Sequence, residues 1–332
     1  MSGKIRVPLL RALALVALAF AALTLVVRAN PAVNMPALIL AVGSPYTAVG
    51  ALAVLVLLAL RRRVLLSIIA AVVATASLAV QVTWYYSGRP PEVGDHATIR
   101  LLSANLFKGR ADPSSLVGFA QENADVVTVA ELTPEAVERF SRVGIDKAFA
   151  HSLLMPAPGA GGIGIWSRYP LTALSAPKLW RVKMPGARLR VPGVRFDPLV
   201  ASVHVMSPVA GDQNTIEDWR LGMASAKEQL TFFGRVADPA AVIIGGDYNS
   251  TPDLRQFRDL LADDGYRDAA EQTGAGFAPT YPSNRWFPPV ITIDHVLTRN
   301  SAAKSVRTID IPGSDHRALL TAIQVPLDPT TS

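Results

Sequence analysis

The pattern of apolar and polar positions changes character once, near residue 87. Before that point the apolar stretches are long and almost uncharged. Residues 9–27 are interrupted only by Arg11, and residues 35–60 and 64–86 carry no charge except the Arg61–Arg62–Arg63 run that separates them. Each stretch supplies the roughly 20 residues that a helix needs to cross about 30 Å of hydrocarbon. The pattern therefore predicts three transmembrane helices within residues 1–86. Pro45 predicts a kink in the second, and Trp84, Tyr85 and Tyr86 close the third as an interfacial aromatic belt. Residues 87–96 are rich in Pro and Gly and read as a short linker.

Beyond the linker, short β-branched runs mix with amphipathic stretches. Residues 97–105, 125–131, 161–168, 199–205, 242–244, 291–298, 303–309 and 318–325 read as strands. Residues 113–123, 134–140, 216–236 and 257–264 have helical spacing. Such a mixture predicts an α/β sandwich of mixed sheets over residues 97–332.

Composition supports this division. The chain of 332 residues has a net charge of +6 and a mean hydropathy of +0.29. Eight of its Lys and Arg residues, against Glu92 and Asp95, lie before Ala97, which leaves 24 residues of each sign beyond. The basic excess belongs to the apolar segments and argues against a polyanion partner for the neutral C-terminal domain. Lys4, Arg6, Arg11 and the triple-arginine loop put the N-terminus and that loop in the cytoplasm and the C-terminal domain outside. Reading the first segment as a cleaved signal peptide leaves the domain on the same side. The absence of cysteine excludes a disulfide framework, a thiolate metal site and a Cys nucleophile.

Residues 240–252 carry the strongest chemical signal. Val242, Ile243 and Ile244 form a buried strand, and Gly245 and Gly246 permit close backbone approach or a positive φ. Asp247 and Asn249 follow, one residue apart. They share a face if the strand runs through them; the alternative is an Asp-x-Asn turn. The same type of ending recurs at Asn105, Glu131, His204, Asp294 and the pair Asp315–His316. One polar strand end is ordinarily a cap, but this many of metal-binding and acid–base type point to a shared site. Asp294, with strand residues on both sides, needs a partner for its carboxylate. His204 in the apolar setting Ser-Val-His-Val-Met reads by itself as a satisfied core histidine.

Together Asn105, Glu131, Gly-Gly-Asp-Tyr-Asn (245–249), Ile-Asp-His-Val (293–296) and Gly-Ser-Asp-His-Arg (313–317) resemble the ordered motifs of the endonuclease/exonuclease/phosphatase superfamily. Ser-Arg-Tyr-Pro-Leu (167–171) also occurs often there. The resemblance covers about residues 99–324. It implies a DNase I-like, four-layer α/β sandwich, here preceded by three transmembrane helices as in membrane-bound bacterial members. It also implies hydrolysis of phosphate esters with Mg²⁺, or Mn²⁺ or Ca²⁺ in its place. By that resemblance Glu131 is the principal metal carboxylate, with Asn105 beside it and Asp315 sharing the ion. His316 bonds a phosphate oxygen while Asp294 holds its other ring nitrogen. Asp247 orients or deprotonates the attacking water, and Asn249 and His204 hold phosphoryl oxygens. The tyrosine and arginine that nucleases place between the Glu and His motifs have no counterpart, and Arg168 belongs to the Ser-Arg-Tyr-Pro element.

Residues 178–195 contain six basic and no acidic residues, interleaved with Trp180, Met184, Leu189 and Val191. They read as a solvated hairpin turning at Pro185–Gly186, or as a surface for anionic lipid headgroups. The expected function is a membrane-anchored, outward-facing phosphoesterase acting on a lipid-linked phosphate or phospholipid headgroup. A surface nuclease acting on nucleic acid and an inactive binding module are the alternatives.

Overall fold

The structure is a computed structural model, describing residues 2–175, 181–211 and 215–331. The chain forms two compact units, one of Met1–Ser87 with Pro252–Arg258, the other of Gly88–Thr251 with Asp259–Ser332.

The first unit holds α1 (Ser2–Ala29), α2 (Met35–Val42), α3 (Ser44–Leu60) and α4 (Val64–Tyr85). The Leu10–Ala29 part of α1 and all of α4 are long and apolar enough to cross a membrane. The helices α2 and α3 meet at a 60° bend and count as a third span only if taken together. The bend lies at Gly43, and Pro45 occupies the first turn of α3, where its missing N–H leaves no hydrogen bond unmade. The helices pack through small residues, Ala14 and Ala70 in one cluster and Ala21, Ala51 and Ala74 in another, which lets their backbones approach closely. Val16, Val49, Val64, Leu65 and Val72 remain exposed.

A single carboxylate organises the polar part of this unit. Asp253 is buried, and its Oδ1 accepts from Arg28 Nε at 2.8 Å, Ser44 Oγ at 2.8 Å and Gln81 Nε2 at 2.9 Å. Gln256 pairs its carboxamide with both the N–H and the C=O of Ala32. Removing one member of a buried ion pair strands the other charge, at a cost of about 3–5 kcal/mol. Asp253→Ala should therefore lower the thermal unfolding midpoint of the full-length chain in detergent clearly more than Ser44→Ala does. An unchanged midpoint would show that Arg28 finds water instead.

The second unit contains, in chain order, β1 (His96–Asn105), α5 (Pro113–Asn123), β2 (Val126–Ala130), α6 (Pro134–Arg142), α7 (Ile145–Ala148), β3 (His151–Met155), β4 (Ile163–Ser167) and β5 (Leu171–Ala173). It continues with β6 (Gly186–Leu189), β7 (Leu199–His204), α8 (Thr215–Ala237), β8 (Val242–Asp247), α9 (Arg255–Leu261), which begins in the first unit, and β9 (Arg267–Asp268). The last elements are α10 (Ala269–Thr273), β10 (Asp294–Arg299), β11 (Ala302–Asp310) and β12 (Arg317–Pro326). They build two six-stranded sheets, ordered β11-β12-β1-β2-β4-β3 and β5-β6-β7-β8-β10-β9.

The central core lies between the sheets. Ile99, Leu101 and Val126 of the first join Val200, Ile243 and Val296 of the second. The other face of the first sheet packs Val127 and Trp166 beneath Leu116 and Val117 of α5 and Phe140 of α6. On the second sheet, α8 buries Trp219, Met223, Leu230 and Phe233, and the Phe233 ring lies against Gly186. Helix, sheet, sheet and helix are the four layers expected. Gly245 and Gly246 serve close approach rather than an unusual φ. A Cβ on Gly245 would sit 2.7 Å from Thr128 Oγ1, and one on Gly246 would sit 2.0 Å from the Val203 carbonyl oxygen.

The basic stretch departs from expectation. Gly186 is not the tip of a hairpin but the start of β6, paired with Ala201 of β7. The chain reverses later, near Gly193, whose φ is +82°. Met184, Leu189 and Val191 are buried. Arg188 donates to the Val236 carbonyl, while Arg190 and Arg195 pair with Asp197 and Asp328. Arg188 is committed to the domain, whereas Arg190 and Arg195 stay 73% and 62% exposed in surface ion pairs. Lys178 and Trp180 lie outside the described residues.

Candidate active site

Strand direction brings the polar ends together. Parallel pairing of β1 and β2 sets Asn105 beside Ala130, so Asn105 and Glu131 emerge side by side. Parallel pairing of β7 and β8 sets His204 opposite Asp247, and antiparallel pairing of β10 and β8 sets Asp294 opposite the same Asp247. In the other sheet β12 runs antiparallel to β1, so Asp315 and His316, just before it, return to the end marked by Asn105. Asp294 is thus the first residue of its strand, not an interior one as its flanks suggested.

The Asp247 carboxylate is the centre. It is buried, and its Oδ2 accepts from Asn105 Nδ2 at 3.0 Å and Asn249 Nδ2 at 3.2 Å. The same oxygen lies 3.7 Å from His204 Nε2 and 3.8 Å from His316 Nε2. Asp247 Oδ1 accepts from the Asn249 backbone N–H at 2.7 Å. The strand therefore stops at Asp247, and Asn249 turns back at φ +45°. The Asp-x-Asn turn forms, and it helps to build the site. Asn249 Nδ2 also donates to the Val205 carbonyl at 2.9 Å, so its amide hydrogens are committed to Asp247 and β7's end.

Glu131 stands at the opening, its side chain 14% exposed. Its Oε1 accepts from Asn105 Nδ2 at 3.3 Å and lies 3.8 Å from His204 Nε2; its Oε2 accepts from the Lys108 backbone N–H at 2.6 Å. Asn105 thus turns its donor toward the two carboxylates, while its Oδ1 accepts from Phe107 N. An oxygen ligand at Asn105 requires that amide turned over. His316 Nδ1 bonds Asp294 Oδ2 at 2.8 Å, and His316 Nε2 lies 3.8 Å from Asp315 Oδ1. His204 Nδ1 bonds the Ala160 carbonyl at 3.0 Å, so that nitrogen carries the proton and Nε2 faces the site. All eight residues singled out from the sequence, Asn105, Glu131, His204, Asp247, Asn249, Asp294, Asp315 and His316, lie in this one network.

Backbone strain concentrates here too. Four of the six described non-glycine residues with positive φ are Phe107, Lys108, Glu131 and Asn249. Such conformations persist where surrounding contacts over-determine them, which is common at functional sites.

The electrostatics follow from crowding. Burial, with the neighbouring Asp294 charge, pushes Asp247 up to about 6. Burial and Glu131 push Asp315 up as well, against the pull of His316. Burial alone would lower His316, but Asp294, Asp247 and Asp315 outweigh it and push the imidazole up to about 10. Asp247, Asp294 and His316 bring ligand-type atoms within 4.8 Å of one another, yet His316 Nδ1 is already committed to Asp294. Glu131 and Asp315 offer the accessible oxygens. Several carboxylates against one imidazolium, with hard oxygen donors and no thiolate, fit a cation such as Mg²⁺.

The profile of the Endonuclease/Exonuclease/phosphatase family matches residues 86–316, more than half of the chain. The chain belongs to that family. Solved structures agree on the fold. An endonuclease/exonuclease/phosphatase family protein from Bacteroides thetaiotaomicron is 11% identical with a TM-score of 0.53, over 69% of this chain and 98% of that one. D. rerio TDP2 complexed with single strand DNA product is 16% identical with a TM-score of 0.52, over 68% and 99%. No curated protein matches the chain by sequence. The family's phosphoesterases and nucleases are hydrolases, and this network has the acids and bases such chemistry uses.

Several participants left little trace in the sequence. The Tyr281 ring lies against His316, with centroids 4.9 Å apart. Ser314 Oγ donates to the Asn105 carbonyl at 2.7 Å and accepts from His316 N at 3.0 Å, tying the 314–316 loop to the end of β1. Only the Gly-Ser-Asp-His-Arg motif could have flagged Ser314, and no local pattern marks Tyr281. Arg168 lies elsewhere, donating to the Ala124 and Gln121 carbonyls and covering Phe149.

The raised His316 value has a consequence for stability. Unfolded, the ring titrates near 6.5; folded, near 10. Between these values the native state binds more protons than the unfolded state, so the stabilisation is complete below pH 6.5 and is lost as pH rises toward about 10. Thermal melting in metal-free buffer should show a midpoint that falls from pH 7 to 9 in the wild type and falls less in His316→Gln. Parallel profiles would place the shift elsewhere.

Proposed function

We propose that this chain is a membrane-anchored phosphoesterase that hydrolyses a phosphate ester by direct attack of water, on a lipid-linked substrate held in or near the bilayer. The observation that carries the reading is the convergence of Glu131, Asp247, Asp294, Asp315, His204 and His316 at one end of two sheets. Glu131 and Asp315 would hold a hard divalent cation. When bound, it supplies Lewis-acid charge to a phosphoryl oxygen.

The chain's own groups supply the rest. Asp247, raised toward neutrality by burial, accepts the proton of the attacking water. Asn105 and Asn249 hold its carboxylate in place. His316, kept protonated by Asp294, offers Nε2–H to a phosphoryl oxygen as charge builds there. His204 keeps Nε2 toward the same space through its bond to Ala160. No covalent intermediate is needed.

The lipid-linked substrate and the outward orientation are supported by the long apolar helices, the short linker, the neutral charge of the domain and the arginines between the second and third apolar segments. One observation favours a second reading, a nuclease: the fold is shared with D. rerio TDP2 solved with single strand DNA product.

The test is turnover by the full-length chain in nanodiscs with Mg²⁺, Mn²⁺ or Ca²⁺. The panel holds polyprenyl pyrophosphate, sphingomyelin, phosphoinositide and plasmid DNA. Release of phosphate or headgroup from a lipid is expected; cleavage of DNA alone would replace this reading by the nuclease. Glu131→Ala and His316→Ala should each lower kcat by about 10²-fold or more, by the size of a lost transition-state donor. Orientation has its own check in a chain without cysteine. Glu92→Cys should react with a membrane-impermeant maleimide on intact cells, and labelling only after lysis would reverse the assigned side.

A further inference from the structure

A second buried Asp–His pair lies directly behind the first. Side chains alternate along β10, so Asp294 and His295 point to opposite faces of the sheet. His295 is 2% exposed. Its Nδ1 bonds Asp268 Oδ2 at 2.6 Å, and its Nε2 bonds the Ser250 carbonyl at 3.0 Å. Its ring also meets Tyr248 edge-on, with centroids 5.9 Å apart. Asp268 is itself fixed, because its Oδ1 caps α10 by accepting from Ala270 N and Glu271 N.

Tyr248 and Ser250 flank Asn249. His295 therefore braces both neighbours of the residue that turns back at φ +45° and holds the Asp247 carboxylate. A left-handed non-glycine residue persists where its surroundings over-determine it. The Ser250 carbonyl can only accept, so Nε2 carries a hydrogen whichever partner holds the other proton. The sequence had given the Ile-Asp-His-Val run a role only through Asp294.

We infer that His295 is a positioning residue: anchored by Asp268, it clamps the Tyr248–Ser250 turn and so sets the placement of Asn249 on Asp247. It touches no substrate. For catalysis the inference rests on the phosphoesterase reading; for structure it stands on the hydrogen bonds alone.

The experiment uses full-length wild type, His295→Phe and His295→Gln in detergent, with thermal melting to confirm that each folds. With bis(p-nitrophenyl) phosphate and Mg²⁺, His295→Phe should lose about tenfold or more in kcat with KM within about twofold, the pattern of a disturbed transition state rather than lost binding. His295→Gln, whose amide can still donate to Ser250, should recover part of that loss. A folded His295→Phe with wild-type kcat would overturn the inference. A readout independent of turnover is the ¹⁵N signal of the Asn249 side-chain amide, assigned by its disappearance in Asn249→Asp. It should shift or broaden in His295→Phe. If no phosphoester is turned over, the phosphoesterase reading falls while this signal still decides the clamp; an unmoved signal removes it.

Discussion

The burial of the Asp247 carboxylate is the constraint on which the site depends. A charge at the end of a core strand must be held by donors, and here Asn105 from the facing sheet and Asn249 from the turn behind donate to it, while the imidazoles of His204 and His316 lie 3.7 and 3.8 Å away. These neighbours are fixed in turn. Asn105 also reaches Glu131, His316 is held by Asp294, and His204 by the Ala160 carbonyl. An acid near pH 6 and an imidazolium near pH 10, less than 4 Å apart, are what this enclosure produces.

Two glycines make the enclosure possible. At Gly245 and Gly246 the strand that carries Asp247 lies so close to Thr128 and to the Val203 carbonyl that no side chain fits. Asn105, from one sheet, can then reach Asp247, from the other, at hydrogen-bond distance. Close packing of two sheets thus shapes the site as directly as the polar residues do. The left-handed backbone at Lys108 and Glu131 belongs to the same economy of space, since it brings the Lys108 N–H onto the Glu131 carboxylate.

The helical unit shows the same principle in an apolar setting. Arg28, Ser44 and Gln81 sit among apolar helices, and all three meet the one carboxylate of Asp253. Each would be costly alone, and together they are satisfied. In both units, buried polar groups are arranged around an aspartate.

Much of this was legible in the sequence because it is local. Long uncharged runs announce helices of membrane length, and short β-branched runs that stop at Asn105, Glu131, His204 and Asp247 announce strands with chemistry at their ends. Family membership was legible in the order of those motifs. Partners were not local. Ser314 bonds the Asn105 carbonyl across 209 positions, and Tyr281 reaches His316 because the backbone of its own loop bonds that of residues 315–317, through Arg317 N to the Thr280 carbonyl and Ser283 N to the Asp315 carbonyl. Direction also decided that Asp294 opens its strand and that Gly186 begins one, and packing turned Arg188 onto the Val236 carbonyl. Hydrophobic period reports which face of an element is buried; it carries no information about which neighbour covers that face. The residue types at the site were therefore determined by the sequence alone, and their mutual distances, hydrogen bonds and shifted acidities only by the tertiary structure.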